Sequence, residues 1–207
     1  MAEVAVLDAG GDANRAYVVL ERPERRAFCV DPSYAAEAVE RVCREAGCVL
    51  TDVLLTHSHR DHWASLPRLA QVFGPRILVH PAESSPPPGA RVFTAEGPLP
   101  GLPGVEVLFT PGHSPGGVCF RFEDRLFTGD TLFVDWVGRW DLPGGSGEAL
   151  FQSLARLRSL DPALRLHPGH HYGTVESRTL GEEIGANRFL REEDLGAFLA
   201  LLPELTA

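Results

Sequence analysis

The stretch LLTHSHRDHWAS, residues 54–65, packs His57, His59, Asp61 and His62 into six positions. An apolar run, DVLL, leads into it, so the polar cluster begins where a buried strand ends and the chain reaches a sheet edge. Two histidines at i and i+2 on an extended backbone point to the same side. Asp61 and His62 follow as the chain turns toward a helix that Ser65 is placed to cap. Neutral imidazole and carboxylate are the donor set of zinc, iron and manganese. Taken alone, the pattern also fits a polar loop.

Other strand ends deliver the same residue types. His113 lies in FTPGHSPGG, after VEVLF, and Asp130 closes RLFTGD. His170 and His171 follow RLHPG. Each alone reads as a turn residue; together with 57–62 they describe a site on the rim of a sheet scaffold. His80 and His167 fall within strand-like runs and read as structural.

Further apolar runs, EVAVL, AYVVL, RAFCV, RILVH and GVCFRF, read as strands. Helical spacing joins Ala35 to Ala46, with Ser33 as N-cap and Gly47 past the end. Leu150, Leu154 and Leu157 mark a second helix, stopping before Asp161-Pro162. Thr179 with Glu182 forms a candidate capping box. Leu195, Phe198, Leu199 and Leu202 make the stripe of a terminal helix. Strands and helices in both halves predict a layered α/β arrangement.

The 207 residues are enough for one substantial core, and 44% hydrophobic with 23% charged residues is ordinary for a globular chain. We find no repeat and no flexible linker, which predicts a single domain over 1–207. The start lacks a signal-peptide pattern, and no apolar run approaches the roughly 20 residues of a membrane span. The expectation is a cytoplasmic protein with no membrane partner. A net charge of −9 argues against a nucleic-acid partner. Cys29, Cys43, Cys48 and Cys119 show no C-x-x-C pairing and read as buried thiols. All 19 basic residues are arginine, which excludes any mechanism that needs a lysine.

The order THSHRDH, TPGHSPGG, FTGDTLF, PGHHYG resembles the metallo-β-lactamase superfamily of metal-dependent hydrolases. Within it, GDTLFVDWVGRWDLPGG (129–145) and PGHHYGTVESRTLGEE (168–183) are most similar to the glyoxalase II (hydroxyacylglutathione hydrolase) branch. The resemblance implies a four-layer αββα sandwich, two mixed β-sheets with helices outside and the site at one sheet edge. It implies that His57, His59 and His113 bind one divalent metal, and Asp61, His62 and His170 a second. Asp130 bridges them. Zinc is the expected metal, with iron or manganese as alternatives. A hydroxide held between two such ions is the implied nucleophile, with Asp61 and Asp130 as the catalytic carboxylates. His170 is preferred to His171 because it directly follows the Pro-Gly turn. Tyr172 matches a tyrosine that contacts the thiol carrier in that branch, and Arg139 lies in a loop lining the substrate mouth.

The chain departs from the branch in several places. It ends before the helical C-terminal domain that grips glutathione in full-length glyoxalase II. Trp63, Ala64 and Ser65 stand where the family often has a Gly-Gly pair, and a tryptophan there would narrow the mouth. Arg60 puts a positive group beside the ligands, where it would steer an acidic substrate. Val137 replaces a frequent cysteine. The implied activity is hydrolysis of a small-molecule thioester, hydroxyacylglutathione-like. A persulfide dioxygenase with one iron on His57, His113 and Asp130 is the alternative, and a non-catalytic metal-binding protein a third reading. The sequence leaves the oligomeric state open.

Overall fold

The computed structural model describes residues 2–93 and 96–205. Its first sheet takes strands β1 (Glu3–Asp8), β2 (Arg15–Glu21), β3 (Arg26–Val30), β4 (Val49–Leu54), β5 (Arg76–Val79) and β6 (Arg91–Val92), in that spatial order. The first three strands run antiparallel, and β3 to β6 pair in parallel. The second sheet follows the order β11 (Arg165–Pro168), β10 (Arg125–Gly129), β9 (Val118–Phe122), β8 (Val105–Phe109), β7 (Gly97–Pro98). Only its β10–β11 pair is parallel. Each apolar run of the sequence lies on one of these strands. The two-residue β6 and β7 are too short for alternation to reveal them.

Alternation along the strands sorts the core into layers. On β2, Tyr17 and Val19 point between the sheets, while Val18 and Leu20 face the other way. Phe28 and Val30 on β3 and Phe120 and Phe122 on β9 fill the same middle layer. The outer face of the first sheet is covered by α1 (Ala36–Ala46) and α2 (Leu66–Val72). That of the second is covered by α3 (Gly147–Arg158), α4 (Leu180–Ala186), α5 (Arg188–Arg191) and α6 (Leu195–Leu201). The result is the αββα sandwich. Because both faces of β2 are covered, Arg15 to Leu20 is a continuous buried run.

The helix ends refine the sequence reading. Thr179 and Glu182 form the expected capping box of α4. Ser33 does not cap α1: the N-cap position is Ala35, and Ser33 sits at φ +46° with its N–H on the His62 carbonyl. The free Ala36 N–H goes instead to Ser65 Oγ at 2.9 Å. Ser65 therefore caps α1 rather than α2, for which it makes no side-chain cap. One hydroxyl thus ties the loop after the histidine cluster to a distant helix start. On α6, Phe198 and the following Leu202 are fully buried, but Leu195 is exposed. All four cysteines are buried free thiols, as expected. Among the described residues no helix is long and apolar enough to cross a membrane.

Candidate metal centre

The strand ends of both sheets meet at one edge. β4 ends at Leu54, and the chain then carries His57 and His59 into a short 3-10 turn, Arg60–His62. His113 follows β8, Asp130 follows β10 and His170 follows β11. The donor atoms of His57, His59 and His113 all lie within 4.8 Å of one another, as do those of Asp61, His62 and His170. Asp130 joins the two groups. Its Oδ2 is 3.5 Å from His113 Nε2 and 3.4 Å from His170 Nε2, and its Oδ1 is 3.4 Å from His62 Nε2. His59 Nδ1 and His113 Nε2 approach to 3.0 Å, and His62 Nε2 and His170 Nε2 to 3.2 Å. Tetrahedral ligands at zinc bond lengths stand about 3.4 Å apart, close to these separations.

Backbone carbonyls and one carboxylate decide which ring nitrogens face inward. Arg139 O accepts from His113 Nδ1 at 2.7 Å, and Asp12 O from His170 Nδ1 at 2.7 Å, so Nε2 of each is the inward atom. Asp31 sets two rings at once. Thr56 donates its hydroxyl to Asp31 Oδ2 at 2.6 Å, so Thr56 Oγ1 accepts from His57 Nδ1 at 3.0 Å. His62 Nδ1 donates to the same Asp31 oxygen at 3.1 Å. Nε2 of His57 and of His62 is left facing the centre. This packing needs Gly129, since a Cβ there would lie 2.3 Å from Thr56 Oγ1.

The donor set fits a metal. His57 Nε2 is a buried side-chain atom with no hydrogen-bond partner, and buried Asp130 Oδ1 makes no hydrogen bond beyond its 3.4 Å ion-pair contact with His62 Nε2. Leaving such groups unmade costs about 1–3 kcal/mol each, and a bound cation satisfies both. Burial holds the His57 imidazole well below its usual range and so keeps it neutral, as a ligand must be. Burial also opposes charge on His62 and His170, yet the surrounding carboxylates outweigh it. His62 is raised well above its usual value by Asp130 and Asp31, and His170 is raised to about 10 by Asp130 and Asp61. Burial likewise opposes ionisation of Asp130, but the histidines around it hold the carboxyl well below the usual range.

A cleft of about 520 Å³ opens onto these residues. Its wall includes Phe133, Trp136, Val137, Arg139 and Leu142 from the loop after Asp130, together with Tyr172. Arg139 and Tyr172 are therefore among the residues at the cleft. Arg60 and Trp63 are not. The Trp63 indole N–H donates to Ser58 O at 2.9 Å, and its ring packs on the α1–α2 side of the first sheet. The Arg60 guanidinium lies over that ring, 5.1 Å from its centre. Neither lines the cleft: the Trp63 indole packs its apolar ring on the nearest core and gives its N–H to a nearby carbonyl.

His171 stays outside both donor groups, its Nε2 3.4 Å from Glu176. His167 is buried and stacked on Tyr17, and His80 stacks on Phe109, both structural as read from the sequence. The sequence reading missed the groups behind the donors. Besides Asp31, Asn14 Nδ2 donates to Asp61 Oδ2 at 2.9 Å. Buried Glu83 accepts from Ser58 N and Oγ, from Ser114 Oγ and from Gly116 N, clamping the loops that carry His57, His59 and His113. The one available signal was position: Asp31 and Glu83 also follow strand ends, β3 and β5.

The metallo-beta-lactamase superfamily model matches residues 2–170, and the chain belongs to that family. The chain is 32% identical over 192 residues to a probable polyketide biosynthesis zinc-dependent hydrolase, BaeB, of Bacillus velezensis, covering 87% of this chain and 83% of that protein. It is 36% identical over 183 residues to a hydroxyacylglutathione hydrolase of Alkalilimnicola ehrlichii, covering 86% and 69%. Among solved structures, ETHE1 from Myxococcus xanthus superposes with a TM-score of 0.89 at 25% identity, over 99% of this chain and 92% of that one. TTHA1623, solved in a di-iron-bound form, gives 0.79 at 34% identity, over 89% and 99%.

Proposed function

We propose that the protein is a metal-dependent thioesterase, a glyoxalase II-like hydrolase of small S-acyl thiols. His57, His59 and His113 would hold one divalent ion and Asp61, His62 and His170 a second, with Asp130 placed to serve both. Zinc is the first choice, with iron or manganese as alternatives. The observation that carries this reading is the convergence of donors from four loops on one centre, with His57 Nε2 buried and unpartnered there. Two such ions, when bound, supply Lewis acidity toward a carbonyl oxygen and bring the pKa of coordinated water near neutrality.

The chain's own residues do the rest. Asp31, Arg139 O and Asp12 O hold the ligand rings in one tautomer, and Asn14 fixes Asp61. The buried wall at Phe133 and Val137 keeps bulk water from one side of the cleft. Hydrolysis forms a carbon–oxygen bond and breaks the carbon–sulfur bond, releasing a carboxylate and a thiol. Thiolate is a good leaving group, so the reaction needs no strong general acid. The likeness to a zinc-dependent hydrolase, a hydroxyacylglutathione hydrolase and a di-iron-bound protein supports the reading.

The test is metal content and two assays on the same purified protein. We expect two metals per chain and S-lactoylglutathione hydrolysis, abolished in His57→Ala. One iron per chain with persulfide-dependent oxygen uptake and no thioesterase would replace this function with the dioxygenase.

A further inference from the structure

We infer that the thiol arm of the substrate is uncharged and its acyl group apolar, so the cleft selects acyl thioesters of a pantetheine-like thiol over those of glutathione. This rests on the thioesterase reading and concerns only which thioester is taken. Glutathione carries two carboxylates, and a site for it needs free cations or donors at the mouth. Here both candidates are already bound to carboxylates of the chain. Arg139 makes a two-pronged pair with Asp141, Nε and Nη2 each at 2.8 Å, the geometry a substrate carboxylate would need. Tyr172 donates its hydroxyl to Asp12 Oδ2 at 2.7 Å, and its ring is stacked on His170.

The remaining charges at the mouth also disfavour an anion. Asp12 and Glu204 line the cleft, and Arg188, which pairs with Glu204 at 2.6 Å, is not in the lining. No guanidinium other than Arg139 lines the cleft among the described residues, and the chain has no lysine. A glutathione ester must therefore displace Asp141 from Arg139 while facing Asp12. The opposite character is on offer from Trp136 and Leu142. Trp136 is 37% exposed at the rim; the Arg188 guanidinium, paired with Glu204, lies 5.9 Å from its ring centre, and the rest of the indole is an apolar surface suited to covering a hydrocarbon chain.

The test uses the full chain, loaded with zinc, on acetyl-, butyryl- and octanoyl-pantetheine and on S-lactoylglutathione. We expect kcat/KM to rise at least about tenfold from the acetyl to the octanoyl ester, because added methylenes leave water on binding. The octanoyl ester should exceed S-lactoylglutathione. Trp136→Ala should flatten the chain-length slope. Asp141→Ala, which frees Arg139, should raise kcat/KM for S-lactoylglutathione roughly two- to fivefold, the worth of an exposed ion pair. As a readout apart from turnover, S-octylpantetheine, a thioether that cannot be cleaved, should quench the protein's indole fluorescence, and Trp136→Phe should remove that response. A flat chain-length profile or a preference for S-lactoylglutathione overturns this inference and leaves the thioesterase standing. If the metal-replete protein cleaves none of these thioesters, the thioesterase reading itself falls and takes the inference with it.

Discussion

Ser58 donates its hydroxyl to Glu83 at 2.5 Å, directly between His57 and His59 in the chain. The other Glu83 oxygen accepts from Ser114 Oγ at 2.6 Å and Gly116 N at 2.9 Å, next to His113. One buried carboxylate thus holds both loops of the first donor group in register. Gly116 is part of the arrangement, since a Cβ there would stand 2.9 Å from Glu83 Oε1.

Glu83→Gln replaces one acceptor oxygen by an amide that only donates, so the donors it faced lose their partner. Outer residues that orient ligands are worth roughly 10- to 100-fold in metal affinity. We expect a loss of that size at the first donor group, read by chelator competition, with the second group unaffected. Equal losses at both groups would mean general loosening instead of a local clamp.

Asp31→Asn tests the tautomer relay. The carboxylate accepts from His62 Nδ1 and Thr56 Oγ1, and through Thr56 it orients His57. It thus acts on His62 of one donor group directly and on His57 of the other through Thr56. The variant should therefore weaken metal binding at both, again roughly 10- to 100-fold. Metal retained per chain after dialysis against graded chelator measures it, and a loss confined to one group would refute the relay.

Proton release distinguishes the two groups. The surrounding carboxylates raise His170 to about 10 and His62 well above its usual value, against the opposing effect of burial, so in the metal-free protein this group favours holding protons at pH 7. His57 and His59 are lowered, chiefly by burial, and are already neutral there. Metal uptake needs neutral imidazole. Filling the Asp61–His62–His170 group should release protons, and its affinity should climb with pH up to about 10, by up to about tenfold per pH unit for each proton displaced. In the other group, His57 and His59 should add little pH dependence above 6.5, the ordinary histidine value. Calorimetric titration in buffers of different ionisation heat reads the count. The linkage also runs through stability: these raised histidines stabilise the metal-free fold below pH 6.5, and that contribution fades as pH rises through about 10.

Asn187 couples the terminal helices to the cleft wall. Its Oδ1 accepts from Phe189 N and Leu190 N at the start of α5, and its Nδ2 donates to Trp136 O at 3.0 Å. Asn187→Ala should cost roughly 1–2 kcal/mol in urea unfolding, the worth of a lost N-cap. An unchanged unfolding midpoint would show that solvent replaces these bonds freely.

Much of the fold was legible because its signals are local. Strand runs such as AYVVL and RLFTG carry their own apolarity, and the Thr179–Glu182 capping box spans four residues. The metal-type donors were legible for the same reason, since each follows a strand end. What misled the reading were side chains whose partner lies elsewhere in the chain. Ser65 caps α1, 29 residues earlier in sequence, and Trp63 turns to Ser58 O and the core, away from the mouth. Those choices depend on which group stands nearest after folding.

The sequence by itself determined the scaffold class and the kind of atoms gathered at its edge, because both follow from residue type and spacing along short segments. Tertiary structure alone decided how those atoms are held and what the cleft offers a substrate. Asp31 reaches Thr56 across 25 residues, Glu83 reaches Ser114 across 31, and Asp12 reaches Tyr172 across 160. Hydrogen bonds act over about 3 Å of space and are blind to distance along the chain, so only the folded arrangement reveals them. LLTHSHRDHWAS announces a metal centre, and the carboxylates behind and beside it set its tautomers and its substrate mouth.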